Sequence, residues 1–132
     1  MRAIVAGHGD FAAGLLSAVV QITGRDDVFV GLSNHGLSAH DVERLLRDAV
    51  ADGAIPVIFT DLPGGSCTMA ARRLQRAQPT LAVVTGVNLA ALLDFVFSES
   101  ADAAGAAIDA VEKGRKALAV ASTSPTSGGR GV

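Results

Sequence analysis

The sequence predicts an α/β fold: a doubly wound, mainly parallel four-stranded sheet in the order 2-1-3-4, with helices on both faces. Three observations carry this expectation. Four short apolar runs alternate with segments of helical period, and strands separated by helices pair in parallel through right-handed crossovers. The first run, Ala3-Ile4-Val5-Ala6, is apolar at every position rather than at alternate ones, as befits a central strand covered on both faces. The 132 residues are 49% apolar with no Trp or Tyr, and much of the apolar share is Ala. That is enough for one domain whose helices pack closely on a sheet.

After the first strand, Phe11, Leu15, Ala18, Val19 and Ile22 recur at helical spacing, and Gly24 closes the helix. Val28-Phe29-Val30-Gly31-Leu32 is the second strand, followed by the loop Asn34-His35-Gly36. Ser38 opens the next helix, with Asp41 three residues on as an approximate capping box. Val42, Leu45, Leu46, Ala49 and Val50 form its buried stripe, and Glu43 and Arg47 pair on its wet side. Ile55-Pro56-Val57-Ile58-Phe59-Thr60 is the third strand, with Pro56 acceptable at its start. Gly64-Gly65-Ser66 opens a helix that carries Ala70, Leu74 and Ala77 inward. Leu81-Ala82-Val83-Val84-Thr85 is the fourth strand, and Gly86-Val87-Asn88 leads into a helix bearing Leu89, Leu92, Leu93 and Val96. A last Ala-rich helix is expected from about Ser100 to Leu118, with Asp109–Lys113 and Glu112–Lys116 pairs outside. The folded domain is expected over residues 1–121. Residues 122–132, rich in Ser, Thr, Pro and Gly, are expected to be a disordered tail.

The bulk composition excludes several classes. A net charge of −2 offers no basic patch to nucleic acid. The single cysteine, Cys67, excludes an intrachain disulfide and fits a reducing compartment. The chain opens directly on a strand, and no apolar stretch approaches the ~20 residues of a membrane span. A cytoplasmic protein without a signal peptide is therefore expected.

Chemistry concentrates at two strand ends. Gly7-His8-Gly9-Asp10-Phe11 joins the first strand to its helix, and Thr60-Asp61-Leu62-Pro63-Gly64-Gly65-Ser66 ends the third. In the order 2-1-3-4 the switch point lies between these strands. His8 and Asp61 then project from adjacent carboxyl ends, where open α/β sheets bind ligands. The bland roles are an imidazole satisfied by a backbone carbonyl and an Asp that caps its turn. Against them stand the glycines flanking His8, which let a ligand approach the backbone, and a helix start whose dipole favours an anion. A carboxylate that accepts one imidazole N–H fixes the tautomer and leaves the other nitrogen free to attack phosphorus. It also stabilises the positive charge that develops. The N–H groups of Gly9, Asp10 and Gly65 and the Ser66 hydroxyl are the candidate phosphate-binding set.

Other motifs lead elsewhere or nowhere. Gly7-x-Gly9-x-x-Ala12 matches the relaxed dinucleotide fingerprint, but Ser33-Asn34-His35 stands where that motif needs an acidic residue. Gly64-Gly65-Ser66 lacks the Lys of a Walker A loop. A zinc site from His8, His35, Asp61 and Cys67 has no pair at metal-ligand spacing. Cys67 reads as a small buried residue, and His35 and His40 as loop and surface residues. Arg72, Arg73 and Arg76 form a solvated helix face or a partner contact.

Taken together, Ile4-Val5-Ala6-Gly7-His8-Gly9-Asp10-Phe11-Ala12-Ala13-Gly14-Leu15, Phe59-Thr60-Asp61-Leu62-Pro63-Gly64-Gly65-Ser66 and Val84-Thr85-Gly86-Val87-Asn88-Leu89 resemble a known family. It is the EIIA component of the mannose family (mannose, fructose, sorbose, N-acetylgalactosamine) of the bacterial sugar phosphotransferase system, the PTS. The resemblance covers about residues 1–120, and the first two motifs look closest to the N-acetylgalactosamine branch. It implies a cytoplasmic phosphotransferase acting as a phosphocarrier for coupled sugar uptake and phosphorylation. His8 would accept a phosphoryl group from the phosphohistidine of HPr and pass it to an EIIB component, with Asp61 orienting the ring. The resemblance implies no cofactor, metal or nucleotide, and contact with the membrane only indirectly through EIIC and EIID. It also implies a homodimer that exchanges a C-terminal antiparallel strand, for which Ala117-Leu118-Ala119-Val120-Ala121 is the candidate. EIIB is expected on a separate chain. One departure is local: the family's usual Pro-Phe after Gly-Gly-Ser/Thr is Cys67-Thr68 here. The alternatives are a phosphotransfer subunit feeding dihydroxyacetone kinase and a non-catalytic regulatory module that binds a ligand in the same crevice.

Overall fold

Strands and helices alternate along the chain as β1 (Ala3–Gly7), α1 (Phe11–Thr23), β2 (Phe29–Ser33), α2 (Ala39–Asp52), β3 (Val57–Thr60), α3 (Ser66–Ala77), β4 (Ala82–Val84), α4 (Leu89–Val96) and α5 (Ala103–Ala117). The structure is a computed structural model that describes residues 1–52 and 55–123. The expected tail lies outside the described residues from position 124 onward. The strands form one sheet in the order β2-β1-β3-β4, and every pairing is parallel. The fold class, the strand order and the covering of both faces are as the sequence predicts. No helix among the described residues is long and apolar enough to cross a membrane.

Two cores follow from the strand alternation. Ala3, Val5, Val57, Phe59 and Val84 face α1, α4 and α5. Ile4, Ala6 and Ile58 face α2 and α3, where Val42, Leu46, Val50, Cys67, Ala70, Ala71 and Leu74 close over them. β1 is buried at every position, which explains its unbroken apolar run. On the first face, Phe59 meets Phe95 edge-on at 5.3 Å between ring centroids, and Phe29 completes the group at 5.8 Å from Phe95.

The boundaries and faces differ from expectation in instructive places. Ile22 is 58% exposed: the 13 residues of α1 span about 20 Å, longer than the five-residue strand of about 17 Å. Val19 is the last α1 residue to reach the core. Leu45 is exposed because Val42, Leu46 and Val50 take the inward stripe of α2. Ala77 is exposed at the last residue of α3, and Ala71 takes the inward place instead. α5 begins three residues later than expected, where the Asp102 side chain accepts the Gly105 N–H as its N-cap. The Asp109–Lys113 and Glu112–Lys116 pairs are absent from the ion pairs of the described residues, since solvated charges on a helix surface gain little by pairing. Glu43 does hold Arg47 at 2.7 Å, and also reaches Arg73 at 3.4 Å. Burial pushes the Glu43 carboxyl up, but its hydrogen bonds with the two guanidinium groups hold it below its ordinary value. Ser38 and Asp41 exchange backbone N–H bonds of 3.1 and 3.3 Å as a reciprocal cap.

Asn88 ties the last two helices together. Its Oδ1 accepts the Ala91 N–H at 3.0 Å as the α4 cap, and its Nδ2 donates to the Gly114 carbonyl at 2.8 Å. Gly114 has no room for a side chain, because a Cβ there would lie 2.8 Å from Asn88 Oδ1. Asn88→Ala removes a cap and strands a carbonyl, and is expected to cost about 1–3 kcal/mol. Urea unfolding measures this, and a loss below about 0.5 kcal/mol, the usual range for a featureless surface site, would contradict it.

Candidate active site

Parallel pairing brings the chemistry together. Ala6 is level with Thr60 across β1 and β3, so the residues that follow emerge side by side at one edge of the sheet. Gly7 is level with Ser33 across β1 and β2, which brings Asn34 to the same edge.

His8 and Asp61 meet there. His8 Nδ1 lies 2.6 Å from Asp61 Oδ2, and the His8 backbone N–H donates to the same oxygen at 3.0 Å. An ionised carboxylate only accepts, so the imidazole carries its proton on Nδ1 and keeps the Nε2 lone pair free. The two side chains are unequally wet: that of His8 is 52% exposed and that of Asp61 9%. Burial pushes the Asp61 carboxyl up, but the hydrogen bonds from the His8 ring and backbone outweigh it and leave the group below its ordinary value. Its second oxygen, Oδ1, is buried with no hydrogen bond from the described residues.

The contact requires a bare backbone at Gly7. A Cβ there would lie 2.8 Å from Phe11 Cδ2 and 3.2 Å from Asp61 Oδ2, so any side chain would displace the carboxylate or the first aromatic of α1. Gly65 is constrained as well. Its φ of +96° suits glycine alone, and a Cβ on it would stand 3.2 Å from His8 Cε1 and 3.8 Å from Nε2. Gly65 therefore passes directly beside the unprotonated nitrogen.

The other candidates sort plainly. Gly9 and Asp10 occupy the turn into α1, with Asp10 at the N-cap and its side chain making no cap bond. Ser66 is the first residue of α3. Two helix starts, each with N–H groups that lack intrahelical partners, thus border the imidazole. His35 and His40 are exposed, and Arg72 and Arg76 are exposed on α3. Cys67 is wholly buried in the core of the α2/α3 face; burial pushes its thiol up, and the Asp61 charge adds to that.

Asn34 is the member that sequence reasoning missed. Its Nδ2 donates to Ser66 Oγ at 3.0 Å, and its backbone N–H donates to the Gly7 carbonyl at 3.1 Å. With an Oγ lone pair taken by the amide, the Ser66 hydroxyl keeps its proton to donate. The only available signal was its place one residue past the second strand, level with the switch point.

A parallel sheet with a histidine–carboxylate pair beside two helix starts defines an α/β domain built to handle an anion at its strand ends. The chain matches the EIIA-man family, described as PTS system fructose IIA component, over residues 2–112, and it belongs to that family. It is accordingly a phosphotransferase-system component with a phosphocarrier role toward sugar uptake. No curated protein matches the chain. Among solved structures it is similar to the phosphotransferase system component EIIA of Streptococcus agalactiae, at TM-score 0.82 and 24% identity, covering 90% of this chain and 95% of that one. It is also similar to the mannose/sorbose-specific IIA subunit of Enterococcus faecalis, at TM-score 0.81 and 22% identity, with 96% and 100% covered. The PTS IIA protein associated with the fucose utilization operon of Streptococcus pneumoniae follows at 0.76 and 23%, with 91% and 96% covered. At these identities the likeness is one of fold.

The depressed Asp61 value has a stability consequence. A carboxyl whose folded value lies below its ordinary 3.8 stabilises the fold fully above that ordinary value. It loses the contribution as pH falls through the lowered folded value. The stability difference between wild type and Asp61→Asn, from urea unfolding, is therefore expected to shrink below about pH 4. A difference that stayed flat into the acid range would contradict the pairing.

Proposed function

We propose that this chain is a mannose-type EIIA phosphocarrier whose His8 Nε2 takes a phosphoryl group from the phosphohistidine of HPr and delivers it to EIIB. The observation that carries this reading is the 2.6 Å contact of His8 Nδ1 with Asp61 beneath a half-exposed ring. The Nε2 lone pair attacks phosphorus in line, the donor's N–P bond breaks, and the donor ring leaves with the bonding pair. His8 keeps its Nδ1 proton throughout, so its ring becomes cationic, and the Asp61 carboxylate faces that charge. The equatorial oxygens are met by the N–H groups of Gly9, Asp10 and Gly65 and by the Ser66 hydroxyl, which Asn34 leaves free to donate. The delivery step is the same displacement with EIIB as acceptor. No metal or cofactor enters.

The Gly-His-Gly-x-Phe-Ala-x-Gly-Leu and Thr-Asp-Leu-x-Gly-Gly-Ser forms support a place near the N-acetylgalactosamine branch. The protein acts in the cytoplasm and touches the membrane only through EIIC and EIID. It works as a homodimer. Ala117 ends α5, the segment 118–121 after it forms no strand within the chain, and Leu118 and Val120 are 84% and 99% exposed. β4 is an edge strand, and a groove beside it is lined by Ala82, Val84, Ala107, Ile108 and Val111. An apolar segment with nothing to cover it and an open sheet edge are complementary in a second copy. Residues 1–121 form the working domain, and the tail from 122 is dispensable.

With phosphoenolpyruvate, Enzyme I and HPr, the protein is expected to gain one acid-labile adduct of about 80 Da. His8→Gln should lose it, and a full adduct on that variant would remove His8 from the role. Asp61→Asn should fold yet transfer ~10²–10⁴-fold more slowly; an unchanged rate would dismiss the carboxylate. Light scattering should give a dimer for the full chain and for a chain ending before Ser122, but not for one ending before Ala117. A stable monomer of the full chain at micromolar concentration would refute the exchange while leaving the His8 chemistry standing.

A further inference from the structure

The carboxylate at the centre of the site is poorly anchored by its own atoms. Among the described residues, Asp61 Oδ2 is bonded only by His8, and nothing bonds to the buried Oδ1. The His8 backbone N–H is the one bond that holds the carboxylate independently of the ring it orients, so any further hold falls to the Asp61 backbone. Residues 62–65, which follow it, are all exposed. The hold has to come from a neighbour within the fold.

Thr68 supplies it. The residue sits in the first turn of α3 and is 2% exposed, and Thr60 is wholly buried. Thr68 Oγ1 lies 2.6 Å from Thr60 Oγ1 and is also hydrogen-bonded to the Leu62 carbonyl. Each hydroxyl has one proton to give. The carbonyl has none, so the Thr68 proton goes to Leu62 and the Thr60 proton goes to Thr68 Oγ1. Thr60 and Leu62 are the two chain neighbours of Asp61, and one buried hydroxyl grips both. The Thr60 carbonyl accepts the Val87 N–H at 3.0 Å, which secures the strand side. On the loop side, Thr60 Oγ1 reaches the Leu62 carbonyl only at 3.4 Å.

We propose that Thr68 is a positioning residue for phosphoryl transfer: its buried hydroxyl fixes the Thr60–Leu62 segment so that the Asp61 carboxylate holds the His8 ring with the proton on Nδ1. The proposal rests on the reading of His8 as the phosphoryl acceptor. Its first readout, however, needs no phosphoryl donor.

The test compares Thr68→Val, which keeps shape and loses the hydroxyl, with Thr68→Ser, which keeps the hydroxyl. Nitrogen-15 NMR of the unphosphorylated full chain reads which His8 nitrogen carries the proton in the neutral ring. In the wild type and in Thr68→Ser it is expected on Nδ1. Thr68→Val is expected to show a mixture with the Nε2–H form and a fall of about tenfold in the rate of uptake from phospho-HPr, measured where circular dichroism shows both variants folded. Rescue of both readouts by Ser separates the hydroxyl from simple packing. A lowered melting temperature with the Nδ1–H form and the rate unchanged would make Thr68 structural only and overturn the proposal. Should Thr68→Val fail to fold, Thr68→Ala read at low temperature decides the same question. If His8→Gln still takes up phosphate, the reading of His8 as the acceptor fails, yet the tautomer measurement still decides whether Thr68 positions Asp61.

Discussion

The parallel pairing of β1 with β3 is the constraint on which the rest depends. Two parallel neighbours end at the same edge, so the residues after Ala6 and Thr60 must meet; antiparallel strands would have sent them to opposite ends. The register is pinned by burial. Ala3 and Val5 belong to one core, Ile4 and Ala6 to the other, and a one-residue slip would exchange the faces of every side chain on the strand. Both cores thus act together to hold His8 opposite Asp61. The two buried bearing strands set where the site's turns emerge.

The pair is built asymmetrically, and the asymmetry suits a carrier. A ring proposed to meet two partners in turn has to stay in reach of solvent, and the His8 side chain is half exposed. The carboxylate that aims it works best where water competes least, and Asp61 is nearly covered. That arrangement has its cost: burial alone would push the Asp61 carboxyl up, and the hydrogen bonds from His8 are what outweigh it. Gly7, barred from any side chain by Phe11 and Asp61, adds backbone entropy lost on folding. Such local departures from the most stable choice collect where function sets the terms.

Much of this was legible in the sequence, and the reasons differ by feature. β1 read clearly because a strand buried on both faces leaves an unbroken apolar run. His8 and Asp61 read clearly because each sits in a glycine-rich turn at a strand end, and the 2-1-3-4 order then forces them together. Asn34 did not: its bond to Ser66 spans 32 residues, and no local pattern encodes a contact between a loop and the start of a distant helix. The faces of Ile22, Leu45 and Ala77 were misread because helical period gives an angle around the axis. It does not say where a helix outruns its sheet or which flank a neighbouring helix covers. The outer ion pairs of α5 failed for another reason, since spacing permits a surface pair without supplying the energy to form one.

The two residues at which the chain leaves the family's usual motif gain their sense only in three dimensions. In sequence, Cys67-Thr68 in place of Pro-Phe looks like the loss of an apolar group beside the site. In the structure neither residue is at the surface. Cys67 fills the core between α2, α3 and the sheet, and its thiol is pushed up by burial and by the Asp61 charge, so it stays protonated and inert. Thr68 cannot be so passive. A hydroxyl brought into the same layer destabilises it unless paired, and the only groups it meets are the hydroxyl before Asp61 and the carbonyl after it. Thr60 has the same need, being buried with a hydroxyl of its own. Each threonine therefore answers the other. With a threonine at this place in α3, the segment that carries the carboxylate gains a second point of attachment.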